Sequence, residues 1–335
     1  MTSSRYQLGR SDLRITRVGL GTWAIGGPGT EGYGTQSDDD SVAAIRRAVE
    51  AGVNWLDTAP IYGLGHSEEV VGRALAEMSL ADRPLVFTKC GLIPDPDRPS
   101  GKPTRMLRPD SIRHELEMSL RRLGIDRIDL YQVHRPDETG IPVEEAWGEI
   151  GRLIDEGKVR AAGVSNFKLD ELEAYEAIRH IDSLQPPFSL INRDAAEQIE
   201  WCAARDIGVL AYSPMGSGLL TDTFTADRVD KMPLDDWRRE DGEFQGNRLA
   251  RNLDLRDALR PIARKHGASV SAVAIAWVLA WHGITGAIAG ARRPSQVDDW
   301  IKALEIQLTH EDLEAISFEI ERTGGGIGPA RSPER

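Results

Sequence analysis

Short apolar runs in this chain end, three times in consecutive units, on a single titratable residue. Asp57 closes residues 54–57, Lys89 closes 85–89 and His134 closes 130–134, while Tyr62 stands in the loop 58–63. A carboxylate, an amine, an imidazole and a phenol are the groups of acid–base chemistry, and what each can do depends on neighbours that shift its pKa. Singly, each has a structural reading: Asp57 as a turn cap, Lys89 as a solvated charge, His134 as a satisfied polar contact. Packing alone does not explain the repetition, which calls for a fold in which successive strand ends converge.

The rest of the chain reads as such a fold. Runs rich in Val, Ile and Leu alternate with stretches of helical period, as in strand–helix units around a parallel sheet. Strands are predicted to begin near Thr16, Asn54, Leu85, Ile128, Val159, Ser183, Gly208 and Gly286. Helices are predicted over 40–51, 109–123 and 143–156, each stopping at a glycine, and over 67–77, where an acidic first turn follows a serine cap. Residues 271–281 are apolar on nearly every face and should be wedged between sheet and neighbouring helices. No Pro-, Gly- or Ser-rich linker divides the chain at its middle, so eight α/β units close most naturally into a (β/α)8 TIM barrel spanning residues 1–322. Three segments fall outside the repeat. Residues 6–8 and 13–15 flank the turn 9–12, predicting an N-terminal β-hairpin that plugs the barrel's N-terminal end. Residues 221–252, with Trp237, Arg238, Arg239 and Glu240, form a loop long enough to be a functional lid, followed by extra C-terminal helix and loops. Residues 323–335 lack periodicity and are expected to be a flexible tail.

Composition and the remaining motifs exclude several functions. The 335 residues are 40% hydrophobic and 28% charged, enough for a sizeable core. The net charge of -12 is the wrong sign for a protein that binds nucleic acid. Cys90 and Cys202 make no disulfide framework or zinc spacing, and a reducing cytoplasm is the expected setting. Residues 1–9 lack a signal-peptide core, and the longest apolar run, 272–281, is about half of the ~20 residues that span a bilayer, so no membrane partner is expected. Residues 19–24 begin like a dinucleotide fingerprint, but no helix starts there to receive a pyrophosphate. His114-Glu115 has Met118 where a zinc protease needs its second histidine, and neither a Gly-x-Ser-x-Gly elbow nor a phosphate loop is present.

The segments Leu56-Asp57-Thr58-Ala59-Pro60-Ile61-Tyr62-Gly63, Thr88-Lys89 and Leu130-Tyr131-Gln132-Val133-His134 resemble the aldo-keto reductase family. The resemblance extends from about Gly19 to Asp299 through Gly163-Val164-Ser165-Asn166-Phe167, Gln185-Pro186-Pro187, Ala211-Tyr212-Ser213-Pro214 and Gly290-Ala291-Arg292, in the spacing of the longer bacterial and channel-subunit-like branch. It implies reduction of an aldehyde or ketone by hydride from NADPH (NADP+), without metal. A phenol can then protonate the nascent alkoxide if its pKa of ~10 is lowered, which makes Tyr62 the general acid and Lys89 the charge that activates it. Asp57 would hold Lys89 protonated, and His134 would hydrogen-bond the substrate oxygen.

The same resemblance implies an extended cofactor bordered by Gly21, Thr22, Trp23 and Asp57. Ser165, Asn166 and Gln185 would bind the carboxamide and Tyr212 would stack on the ring. Ser213, Pro214, Met215, Gly216, Ser217, Gly218 and Leu219 would run beside the pyrophosphate, where glycines permit close approach. Gly290 would border the same groove, and Arg292, beside Arg293, would take the adenosine 2'-phosphate with its planar fork; two arginines before Pro294 also read as a solvated helix entry. Where the family usually carries Asn this chain has Trp300, which shifts adenine contact to Gln296 and Asp299. Trp23, Tyr33, Trp237 and the tail are candidates to line the substrate site with Tyr62 and His134. Ser165 and Asn166 also have a structural reading, as a cap for a helix over 168–177. Cys90 reads as a core residue or an oxidisable thiol. A cofactor-sensing subunit with slow turnover is the alternative function, and a barrel lyase or isomerase a third.

Overall fold

A computed structural model describes residues 4–27, 34–95, 97, 101–233 and 236–333. Tyr33 lies outside the described residues. Eight parallel strands close into a barrel: β1 (Val18–Gly21), β2 (Trp55–Asp57), β3 (Leu85–Cys90), β4 (Ile128–Val133), β5 (Val159–Ser165), β6 (Ser183–Gln185), β7 (Gly208–Tyr212) and β8 (Gly286–Gly290). Neighbours in sequence are neighbours in the ring, and β8 pairs with β1 to complete it. This is the (β/α)8 architecture, with its strand ends in a shared mouth.

Helices α1 (Asp38–Glu50), α2 (His66–Ala76), α3 (Pro109–Leu123), α4 (Val143–Asp155), α5 (Leu169–Glu176) and α6 (Ala196–Ala203) follow the first six strands. Gly124 ends α3 with φ of 64°, the left-handed cap expected of it. The serine expected to cap α2 lies inside that helix: Gly65 holds the cap position, and Ser67 Oγ instead donates to Thr22 and lies 3.0 Å from Thr58 Oγ1. The first barrel strand begins at Val18, two residues later than predicted, because Thr16 pairs within the hairpin.

That hairpin pairs Arg5–Gln7 with Arg14–Thr16, and Leu8, Leu13 and Ile15 are fully buried against Trp55, Phe87, Leu130, Ala161, Leu210 and Ile288. Trp55 opens β2 and Gly9 lies against Gly208 at the start of β7, so the plug sits at the N-terminal end of the barrel. This interior layer positions the site. Side chains two apart on a strand share a face, so Asp57, Lys89 and Gln132 lie one layer above Trp55, Phe87 and Leu130.

The segment 221–252 is not one loop. It holds α7 (Ala226–Asp230), 3-10 turns at Trp237–Arg239 and Gly242–Phe244 capped by Asp236 and Asp241, and the start of α8 (Gly246–Ala258). Phe224, Phe244 and Leu249 are buried beneath it, in pieces too short for periodicity to reveal. After α9 (Arg260–Lys265), helix α10 (Val270–Ala280) has residues 270–278 all buried, as its all-apolar face predicts. Helix α11 (Pro294–Trp300) follows β8, and α12 (His310–Thr323) leads into the tail. Residues 325–332 do not project from the molecule but are hydrogen-bonded onto it through Arg193, His282 and Ser317. No helix among the described residues is long and apolar enough to cross a membrane.

Candidate active site

The interior polar layer is organised around Asp57. Lys89, fully buried, donates from Nζ to Asp57 Oδ1 at 2.6 Å and to the Thr58 carbonyl at 2.9 Å. The other carboxylate oxygen accepts from Gln185 Nε2 at 2.8 Å and Gln132 Nε2 at 3.3 Å. Burial pulls the Lys89 pKa below its ordinary value, and the adjoining Asp57 charge opposes that pull. A buried cation persists only with such a partner.

Tyr62 reaches this pair from the β2–α2 loop. Its position is set by an unusual turn: Gly63, Leu64 and Gly65 all have positive φ, at 61°, 54° and 100°. A Cβ on Gly63 would stand 2.0 Å from the Gly26 carbonyl oxygen, so two glycine backbones in contact seat Tyr62. Lys89 Nζ lies 5.3 Å from the Tyr62 ring centroid. His134, one residue past β4, presents its ring edge-on to Tyr62 with centroids 5.8 Å apart. Burial first, then the Lys89 and Arg135 charges, holds the His134 pKa well below the usual imidazole range, so its ring is neutral. On the open side Trp23 stacks against Tyr62 at 6.4 Å and against Trp237 at 5.8 Å.

From this corner a cleft of about 590 Å³ runs across the mouth to the start of α11. Of the expected residues, Gly21, Trp23, Asp57, Tyr62, His134, Ser165, Asn166, Gln185, Tyr212, Ser213, Pro214, Met215, Ser217, Gly218, Gly290, Arg292, Gln296 and Asp299 are in its lining. Four expected residues stand behind the wall. Lys89, Thr22 and Leu219 are fully buried, and Gly216 is buried under its neighbours; Thr22 hydroxyl is bonded to the Asp57 carbonyl at 3.1 Å.

Ser165 and Asn166 are not a helix cap, since Lys168 holds that position in α5. Asn166, at φ 63°, donates to the His134 carbonyl and to Ser165 Oγ, both at 3.0 Å, and accepts from the Tyr212 hydroxyl at 2.8 Å. Arg292 Nε donates to Gln36 Oε1 at 2.7 Å, and its backbone N–H donates to Gln296 Oε1 at 2.7 Å. Trp300 is buried at the end of α11 and still contributes to the cleft wall. Cys90 is buried with its thiol pKa pushed far up by burial, the state of an inert core thiol.

Sequence reasoning passed over Gln132, although its place midway between Leu130 and His134 puts it on the inward face. It also passed over the cleft side chains Arg135 and Asp222, and Gln36, whose link to Arg292 only folding creates. Gly290 lies open on the cleft wall, where a Cβ would meet nothing nearer than 4.0 Å, so the backbone there leaves room for a bound group to approach closely.

The model of the Aldo/keto reductase family matches residues 17–318. The chain belongs to that family. An aldo-keto reductase of Bacillus subtilis is 35% identical over 320 residues, covering 95% of this chain and 94% of that protein. The NADH-specific methylglyoxal reductase of Escherichia coli is 33% identical, over 92% of this chain and 95% of its own. Among solved structures, the glycerol dehydrogenase of Gluconobacter oxydans superposes with a TM-score of 0.87 at 37% identity, covering 99% of this chain and 100% of that one. This aldo/keto reductase is therefore an oxidoreductase of small carbonyl compounds, a class that uses nicotinamide cofactors.

Proposed function

We propose that this aldo/keto reductase converts an aldehyde or ketone to the alcohol with NADPH as its cofactor and Tyr62 as general acid. The observation that carries the reading is the buried Asp57–Lys89 pair beside the Tyr62 ring, at one end of a cleft of about 590 Å³ that also reaches Arg292 and Gln296. The cofactor, when bound, supplies the hydride. Tyr62 supplies the proton that the nascent alkoxide needs, and the Lys89 ammonium stabilises the phenolate left behind. Asp57 keeps Lys89 charged against the pull of burial, with Gln132 and Gln185 holding its other oxygen. The neutral His134 ring donates one N–H to the substrate oxygen and fixes the carbonyl beside Tyr62. Trp23 and Trp237 wall the substrate side.

Ser165, Asn166 and Gln185 would bind the carboxamide by exchanging hydrogen bonds they now make with one another, and Tyr212 would hold the ring. Arg292, backed by Gln296, takes the 2'-phosphate, which favours NADPH over NADH. The Escherichia coli relative's preference for NADH makes that choice the one to measure. The decisive experiment follows loss of reduced-nicotinamide absorbance with NADPH and with NADH over a panel led by methylglyoxal, glyceraldehyde and an aromatic aldehyde. Oxidation by at least one substrate is expected. Cofactor binding without oxidation would turn the reading toward a sensing subunit, and no binding would end both.

A further inference from the structure

Arg193, in the turn after β6, is only 2% exposed, and its guanidinium donates to backbone carbonyls. Nε donates to Pro329 at 2.8 Å and Nη2 to Gly328 at 3.2 Å, while Nη1 meets the Leu190 carbonyl. Burial lowers its pKa to about 10. A guanidinium buried this way holds its carbonyls tightly, because water cannot replace them. Backbone bonds extend the clamp: Arg193 N–H to Ile327 O at 2.9 Å and Ile327 N–H to Ile191 O at 3.3 Å.

Two glycines make this contact possible. Gly326 has φ of 68°, and a Cβ there would lie 2.4 Å from Ile191 Cα; Gly328 has φ of 87°, and a Cβ would lie 2.6 Å from the Arg193 carbonyl carbon. On its other side Ile191 packs against Gly216, which stands behind the cleft wall between the lining residues Met215 and Ser217. A Cβ on Gly216 would lie 2.5 Å from Ile191 Cδ1. Ile191 is thus held between Gly326 of the tail and the turn that carries part of the cleft wall.

The Gly216 turn needs support. Ser213, Gly216, Ser217 and Gly218 all have positive φ, at 54°, 55°, 52° and 106°, and for serine that conformation is costly unless the surroundings impose it. Arg238, gripped by Asp236 at 2.6 and 2.9 Å, donates to the Ser217 carbonyl at 3.2 Å from one side. Ile191 packs against the turn from the other.

We infer that tail residues 325–329 are a positioning element for the cleft: through Arg193 and Ile191 they hold the 213–218 turn in the shape that receives the cofactor, so that loosening the tail lowers cofactor affinity. The inference rests on the reading of that turn as the cofactor's seat. It separates an affinity role for the tail from the chemical step at Tyr62, some distance along the cleft.

The test compares wild type, Gly326→Ala, a chain ending at Gly324, Ile191→Ala and, as an exposed control away from the tail, Arg46→Ala, which loses an ion pair to Glu77. Cofactor Kd is read by fluorescence titration, and amide hydrogen exchange of residues 214–219 is read without cofactor. The first three variants should bind cofactor about tenfold more weakly, the equivalent of one strained residue no longer held. They should also exchange faster at 214–219, with kcat at saturating cofactor kept within about twofold, since Asp57, Tyr62, Lys89 and His134 are untouched. Arg46→Ala should match wild type. Unchanged Kd and exchange in Gly326→Ala and Ile191→Ala would overturn the inference. If the shortened chain does not fold, Ile191→Ala decides, because it trims the contact to Gly216 and leaves the tail in place. Wild type that binds no cofactor would instead defeat the functional reading, and the exchange measurement would still decide whether tail and turn are coupled.

Discussion

Replacing Lys89 by methionine keeps the bulk of a fully buried side chain and removes the ammonium bonded to Asp57 at 2.6 Å. Taking the Tyr62 ring centroid, 5.3 Å away, as the position of the developing charge, the lost attraction is about 3 kcal/mol at an effective dielectric of ~20. At 1.36 kcal/mol per unit, that is roughly two pKa units and about a hundredfold in kcat. The sign is definite: without the ammonium the phenol becomes a weaker acid, and the pH limb set by Tyr62 moves upward. A second effect accompanies it. Asp57 is left buried without its counter-charge, a loss of about 3–5 kcal/mol of stability unless the carboxyl takes up a proton. The double variant Asp57→Asn/Lys89→Met should recover most of the unfolding midpoint and none of the rate. The assay is kcat against pH for both variants, with thermal unfolding and cofactor titration alongside. A pH profile unmoved in Lys89→Met, or a rate restored in the double variant, would refute the assignment of Lys89 as the activating charge.

Tyr62→Phe should lower kcat by about 10²–10⁴-fold and leave cofactor Kd within about twofold, because only the proton donor is lost; near-normal turnover would move the acid elsewhere. Arg292→Ala should weaken NADPH by about 10–100-fold, the worth of a charge-assisted hydrogen bond, and NADH hardly at all. Equal losses in two parallel titrations would place the 2'-phosphate at another residue. Glu115 sits under β3, accepting the Gly91 N–H at 2.9 Å, and burial raises its pKa from 4.5 to about 7. The folded state therefore retains a proton that the unfolded chain loses, and this residue's contribution to stability falls as pH rises from 4.5 to 7. Glu115→Gln, which keeps the acceptor, should gain up to about 3 kcal/mol over wild type at pH ~8, a gain that vanishes near pH ~4.5; urea midpoints at both pH values check it, and a gain independent of pH would exclude the titration.

The barrel and the gathering of Asp57, Tyr62, Lys89 and His134 at one corner of its mouth were legible from the residues because their signals are local. Alternation with period 2 carries Trp55 to Asp57 and Phe87 to Lys89 on one strand face, whatever the rest of the chain does. The glycines at 52, 124 and 157 mark helix ends for the same reason: left-handed backbone is a property of one residue. Legibility failed where short pieces are stabilised from outside. The 3-10 turns at Trp237 and Gly242 are too brief to show a period, and α8 begins inside what composition reads as loop.

The tail is the clearest case. Gly324, Gly325 and Gly326 suggest a chain with no structure of its own, and contacts from far along the sequence, Arg193 at 136 residues before Pro329 among them, turn it into an ordered strap. Gln185 likewise reaches Asp57 across 128 residues. Side-chain chemistry, strand alternation and turn positions were set by the amino-acid order alone, since φ, ψ and pleat act over a few residues. Which carboxylate Gln132 and Gln185 share, how Gln36 aims Arg292, and where the tail rests were decided by chain closure, because those bonds exist only once the barrel brings remote segments within hydrogen-bonding distance.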